Sequence, residues 1–271
     1  MTDQRPTSAF HSDNADAIGV ERLVNALDAQ AANTGVRRLR EWAHRAVAAP
    51  AGGQVVDVGA GTGSETRALA ATVGPRGTAI GVEPHPGLRQ VATERAATAN
   101  STARFVEGDA YALPLGDGEA DTVWCERVFQ HLDEPPKAAA EIARVLRPGG
   151  RVALLDTDWA TMILHPGDPQ VVAALTSGVL AAAANPYAGR RLVGQLAAAG
   201  LEIEDVGSQA LIQDHRTVVW PLIRMMGATA VKDGRITAEQ RDALYADLTA
   251  AAERQALHMS VTMFGVVARK P

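Results

Sequence analysis

The chain has 271 residues, 46% of them hydrophobic and 21% charged, which is ordinary globular usage and enough apolar material for one elaborated α/β domain. A formal net charge of −5, with Lys137, Lys232 and Lys270 as its lysines, excludes the concentrated basic face that a nucleic acid or an anionic membrane needs. Cys125 is the single cysteine, so no intrachain disulfide forms. With no leader-like apolar run and no stretch of spanning length, a cytoplasmic protein is expected.

In chain order, residues 1 to about 15 are polar, with Phe10 and His11 placed to fold over a ligand. Val20, Leu23, Val24, Leu27 and Ala31 recur at helical spacing; Asn33-Thr34-Gly35 breaks the pattern, and Val36, Leu39, Ala43 and Val47 restart it. These two helices make a flap, residues 1–50, at one edge of a sheet formed by the remainder, 51–271. From Gln54 strands and helices alternate: strands at Gln54–Gly59, Thr78–Glu83, Ala103–Glu107, Asp121–Glu126 and Arg151–Asp156. The helix before the fifth strand takes Asp133 as its N-cap and is stopped by Pro148-Gly149-Gly150. Such alternation predicts a doubly wound, parallel α/β sheet.

After Asp158 the rhythm is interrupted. Asp168–Ala184 and Ala188–Ala199 read as inserted helices and Leu201–Gln213 as a strand. Val218, Val219, Leu222, Ile223 and Met226 form a helix face; Thr237 and Gln240 match a capping box, and Leu257–Ala268 is a buried last strand. The insertions, around 159–190 and 214–256, form a cap on a single domain.

The chain is organised around Val55-Val56-Asp57-Val58-Gly59-Ala60-Gly61-Thr62-Gly63. A β-branched run ends in glycines at alternate positions, and a helix starts directly behind them. Glycine lets the chain turn sharply and lets a ligand lie against main-chain N–H groups. A dinucleotide loop reads G-x-G-x-x-G, with a diphosphate at the helix N-terminus. Here the third glycine comes one residue early, and Glu65 would face the diphosphate with no compensating cation. Glu83, about 20 residues beyond the loop, suits two ribose hydroxyls, which both NAD and S-adenosylmethionine (SAM) carry. Loop and acid together favour a ligand without phosphates.

At these residues the chain resembles the class I SAM-dependent methyltransferases, of the small-molecule type related to the quinone C-methyltransferases. The glycine loop is similar to that family's first motif and Gly81-Val82-Glu83-Pro84 to its second. Glu107-Gly108-Asp109-Ala110 with Leu113-Pro114 resembles the third. Arg127-Val128-Phe129-Gln130-His131-Leu132 and Arg144-Val145-Leu146-Arg147-Pro148-Gly149-Gly150 complete a set covering residues 54 to about 156. The resemblance implies a Rossmann-like sheet of seven strands with the last one antiparallel. It implies SAM as cofactor and S-adenosyl-L-homocysteine as product. Gly59, Ala60, Gly61, Thr62 and Gly63 would lie under the methionine part. Glu83 and Pro84 would lie at the ribose, and Asp109 and Ala110 at the adenine.

Further candidates follow from position. Asp57 either braces the loop or orders the ligand's ammonium group. Arg40 lies at the edge of an apolar helix face and is either a surface arginine or a bidentate partner for SAM's carboxylate. Glu126 and Arg127, at the mouth of strand four, join the cofactor-binding set or pair with each other. His131 is either a helix cap or the general base, and Asp158 accepts an acceptor N–H or O–H or serves as a cap. Trp159 would stack an aromatic ring. Trp220, Met225, Met226 and Met259 either pack a core or wall a substrate pocket. No metal site is expected.

The resulting function is methyl transfer to a C, O or N nucleophile of a small, aromatic or natural-product-like acceptor of secondary metabolism, with positioning as the main catalytic device. Two rivals stay open: a nicotinamide-dependent oxidoreductase, and a SAM-binding regulator or cyclase without methyl transfer. Oligomeric state is not fixed, and exchange of the N-terminal helices between subunits would give a homo-oligomer.

Overall fold

The computed structural model describes residues 19–271; Phe10 and His11 lie outside them. Helices α1 (Val20–Ala32) and α2 (Thr34–Val47) precede the first strand. Then come β1 (Gln54–Val58), α3 (Ser64–Val73), β2 (Thr78–Val82), α4 (Pro86–Thr98), β3 (Arg104–Val106), β4 (Ala120–Glu126) and α5 (Pro135–Val145). The chain continues with β5 (Leu146–His165), α6 (Pro169–Ala182), α7 (Ala188–Ala198), β6 (Glu202–Ile212), α8 (Trp220–Lys232), α9 (Ala238–Glu253) and β7 (His258–Arg269). The strands form one seven-stranded sheet in the order β3-β2-β1-β4-β5-β7-β6. Strands β1 to β5 pair in parallel, and β7 runs antiparallel to both β5 and β6. The order reverses at β1, which lies between β2 and β4; in open α/β sheets ligands bind in the crevice beyond such a switch point.

Apolar strands buried on both faces need a helical layer on each side. On one face α5 and α7 bury Ile142, Val145, Leu192 and Leu196 against Val56, Val123, Val152 and Leu154. On the other, Val36, Leu39, Ala43 and Val47 of α2 cover Trp124, Leu155, Met263 and Val267. Helix α1 packs Leu23 on Leu88 of α4, and Asp28 forks onto Arg95 at 2.7 and 2.8 Å.

Two local expectations change. Strand β5 does not stop at Asp156 but runs to His165, because after an irregularity at Asp158 the residues Ile163, Leu164 and His165 pair again with Ser260, Met259 and His258 of the long last strand. The cap of α5 is Glu134 rather than Asp133, without a side-chain capping bond, and Pro135 occupies the first turn. The capping box at Thr237 and Gln240 is formed.

Trp42 of α2 fixes that helix to the far side of the sheet. Its indole N–H donates to Asp205 at 3.1 Å, and its ring lies so close to β6 and β7 that a β-carbon at Gly265 would sit 2.6 Å from Trp42 Cζ3. Gly265→Ala is therefore expected to destabilise the chain by about 1–3 kcal/mol through overpacking. Gly194→Ala, in α7 with nothing within 4 Å of the added carbon, should match or slightly exceed the parent, since alanine is the better helix former. Thermal melting of the two variants checks this; equal melting temperatures would remove the packing role of Trp42.

Candidate functional site

A cavity of about 510 Å³ opens beyond the C-terminal ends of β1, β2 and β4, with Leu23 and Leu27 of α1 on its wall. Its floor is the turn after β1. Gly59, Gly61 and Gly63 all have positive φ, at 71°, 54° and 72°, a region that residues with a β-carbon avoid. At Gly59 such a carbon would lie 2.4 Å from Val128 Cγ2, and at Gly63 2.4 Å from Phe105 Cζ. The last glycine is thus required by packing, and it is not on the cavity wall.

Four of the loop's N–H groups are taken up within the protein. Gly59 and Ala60 donate to the carbonyl of Val82 at 2.8 and 3.1 Å, and Gly63 donates to Ala60 at 2.8 Å. Gly61 donates to Glu83 Oε2 at 2.8 Å, while His85 N–H donates to Glu83 Oε1 at 2.9 Å. The two bonds to Glu83 tie the glycine turn to the turn after β2. Glu83 is 6% exposed; burial raises its pKa, against the two backbone N–H bonds. One N–H per oxygen leaves lone pairs for two more donors from the cavity. Asp109 closes a turn by accepting from Tyr111 and Ala112 N–H through Oδ1, at 2.7 and 3.0 Å.

Acids dominate the cavity floor. Asp57 is 4% exposed and accepts from the Thr66 hydroxyl at 2.6 Å. Desolvation, with Glu65 and Glu126 nearby, raises its pKa to about 7. Arg40 is committed among these acids: Nε and Nη2 donate to Glu126 at 2.7 and 2.9 Å, and Nη1 lies 2.8 Å from Glu65. Burial lowers its pKa, but Glu126 and Glu65 outweigh this and hold it raised. His44 lies 2.8 Å from Glu65 and stacks on Trp124, with ring centroids 4.4 Å apart. Glu126 thus pairs with Arg40, 86 residues away in sequence, and not with its neighbour Arg127.

Of the expected residues, Arg40, Asp57, Gly59, Ala60, Gly61, Thr62, Glu83, Pro84, Asp109, Ala110, Glu126, Arg127, His131 and Trp159 line this cavity. Asp158 does not: it is fully buried, and Arg190 caps its carboxylate, with Nη2 to Oδ1 at 2.9 Å. Trp220, Met225 and Met226 are also absent from the wall. Met226 is buried with Ile223, Leu244 and Leu248 in a separate core of α6, α8 and α9, against which Trp220 packs. Met225 is 58% exposed. Sequence reasoning missed Gln130 and Tyr111, which line the cavity. Gln130 Oε1 accepts from Trp159 Nε1 at 2.8 Å, and the Tyr111 hydroxyl accepts from Asp133 N–H at 2.9 Å. Gln130 lies within residues 127–132 and Tyr111 directly after Ala110, but only the fold reveals their partners.

With this geometry established, residues 56–154 match the family model of a methyltransferase domain. Over that stretch the α/β core is similar to methyltransferase domains. An uncharacterized methyltransferase of Schizosaccharomyces pombe is 31% identical over 180 residues, 62% of this chain and 64% of the relative. The 2-methyl-6-phytyl-1,4-hydroquinone methyltransferase of Synechocystis is 38% identical over 110 residues, 41% of this chain and 33% of the relative. The chain spans less than two thirds of the length of these curated relatives. The crystal structure of a SAM-dependent methyltransferase from Aquifex aeolicus superposes with a TM-score of 0.57 at 16% identity, covering 93% of this chain and 99% of that one, a likeness of fold. Among the described residues no cluster of His, Cys, Asp and Glu is built to hold a metal, and no helix is long and apolar enough to cross a membrane.

The buried acids of this domain make a stability prediction. Burial raises Asp57 and Asp156 from 3.8 to about 7, and Glu83 shifts the same way. Between about pH 4 and pH 7 the folded chain therefore holds protons that the unfolded chain has released, so stability falls as pH rises through that window. Asp28 and Glu141, lowered by hydrogen bonds from Arg95 and Arg144, act with the opposite sign but below about pH 4. Denaturant melts of the ligand-free chain at pH 5 and pH 7.5 should show the higher stability at pH 5, and Asp57→Asn should shrink the difference. A flat profile would remove the assignment.

Proposed function

We propose that the chain transfers the methyl group of SAM to a nucleophilic carbon, oxygen or nitrogen of a small acceptor. The observation that carries this reading is the state of the glycine turn. Four of its N–H groups, those of Gly59, Ala60, Gly61 and Gly63, are consumed by Val82, Glu83 and Ala60, and Glu65 stands in the first turn of α3. A diphosphate would lose those four donors and meet the acid Glu65 at the helix end, whereas a nucleoside without phosphates needs only the hydroxyl acceptor at Glu83. This argument speaks against a nicotinamide dinucleotide, and the relative named for a hydroquinone supports an aromatic acceptor.

SAM, when bound, supplies an activated methyl group on a sulfonium, and the residues fit its parts. Glu83 accepts from the ribose hydroxyls, and Asp109 keeps Oδ2 for the adenine amino group. Asp57, amid excess carboxylate, holds the ammonium end. The wall of Leu23, Leu27 and Leu88 keeps water out. What remains is alignment: acceptor and methyl carbon at about 3–3.5 Å, in line. His131 takes the proton of a phenolic or N–H acceptor on its imidazole. An electron-rich ring carbon needs no proton removed before it attacks the methyl group, and the proton on that carbon leaves afterwards to restore the aromatic ring.

Calorimetric titration of the full chain with SAH and with NAD, followed by labelled SAM and a panel of phenols, indoles and quinols, tests the reading. SAH should bind and NAD should not. Glu83→Ala should weaken SAH by about 10- to 100-fold, the worth of hydrogen bonds to a charged acceptor. Uptake of NAD alone, or an unchanged affinity in Glu83→Ala, would overturn it.

A further inference from the structure

Arg127 stands apart from the other charged groups of the cavity. Its backbone has a φ of 59°, left-handed for a residue with a side chain, a strain of about 1–3 kcal/mol that persists only where surrounding structure enforces it. The enforcement is visible: its N–H donates to Leu155 at 2.8 Å, and its carbonyl accepts from Gln130 Nε2 at 3.3 Å. Arg127 lines the cavity, yet its guanidinium makes no ion pair among the described residues. The nearest acids, Glu126 and Asp156, act on it at a distance. Both are committed elsewhere: Glu126 to Arg40, and Asp156 to the N–H groups of Gln130 and Thr157 at 3.0 and 2.7 Å. Burial accordingly lowers the pKa of Arg127. A half-buried, strained cation without a contact anion is a costly arrangement that a bound anion would relieve.

The same buried Gln130 that braces Arg127 accepts from the indole of Trp159 at 2.8 Å. One amide thus ties a flat ring and the backbone of Arg127 to a single frame, at the end of β4 and at the irregularity of β5 after Asp158. Glu83, the sugar grip, stands at the end of β2, two places along the sheet from β4. We propose that Arg127 is the acceptor-side anchor for a carboxylate, so that the molecule methylated here is a flat, aromatic acid. Its carboxylate sits on the guanidinium fork, a bidentate match that an ester or amide cannot give, and its ring lies against Trp159. This rests on the methyl-transfer reading for the identity of the co-bound cofactor, and it adds the class of acceptor.

The test uses the full chain saturated with SAH and titrated with 4-hydroxybenzoate, 4-hydroxycinnamate and their methyl esters. At least one acid should bind about 10-fold or more tighter than its ester, and Arg127→Met should erase that preference, a loss of about 10- to 100-fold, while SAH affinity stays within about twofold. Arg127→Lys should keep part of the preference. Arg127→Gly, which suits the left-handed backbone, serves if the methionine variant fails to fold. Equal binding of acids and esters, or a preference that survives removal of the guanidinium, overturns the proposal. So does a loss of SAH affinity in Arg127→Met, which would put the cofactor's own carboxylate on the fork. A parent chain that binds no SAH sinks the methyl-donor reading instead, and the acid-against-ester comparison on the free chain then decides the role of Arg127 separately.

Discussion

The site depends on the carboxylate of Glu83. Its two oxygens receive the N–H of Gly61 and the N–H of His85, so one side chain ties the turn after β1 to the turn after β2. The parallel register that sets Val58 beside Val82 brings both turns to the same level. Burying a carboxylate is costly unless its lone pairs are met. The backbone donors offset that cost, and in return the carboxylate holds the glycine turn in its left-handed form. The direction of α3 and the shape of the cavity floor follow from this tie.

A second constraint is electrostatic. Asp57, Glu65 and Glu126 converge on Arg40, with His44 at the periphery. The cluster joins four parts of the chain: α2, the end of β1, the start of α3 and the end of β4. Trp42 clamps the same helix to β6 and β7. The helix ahead of the first strand is therefore structural cement and cavity wall together. Its surplus of carboxylate gives the floor a preference for positive charge, in keeping with a sulfonium and ammonium ligand. The guanidinium of Arg127, next in sequence to Glu126 and without an ion pair among the described residues, adds a positive charge beside that acidic floor.

Much of this was legible in the sequence. The alternation of β-branched runs and helical periods gave the sheet, and the spacing of Gly59, Gly61, Gly63 and Glu83 placed the ligand crevice. Local patterns failed where the deciding partner was far along the chain. Asp158 resembled a free acid at a strand end until the fold brought Arg190 to it. Arg40 resembled an available cation, yet Glu126 occupies its fork. The apolar Met226, like the neighbouring Trp220, matched a pocket wall and a helical core equally well, and the core prevailed because α6, α8 and α9 bury one another's faces. Strand β5 continues past Asp158 because an unusually long β7 offers it a partner, which no periodicity within β5 announces. Backbone donors are also invisible in a motif, so the glycine turn's own consumption of its N–H groups emerged only with the fold.

The most direct measurement is a crystal structure of the full chain grown with SAH. The account requires the ribose hydroxyls on the free lone pairs of Glu83, the adenine edge at Asp109, and the amino-acid end over Asp57 within the cavity bounded by Leu23 and Leu27. A nucleoside seated elsewhere, or a Glu83 carboxylate touching only Gly61 and His85 with ligand bound, would contradict it.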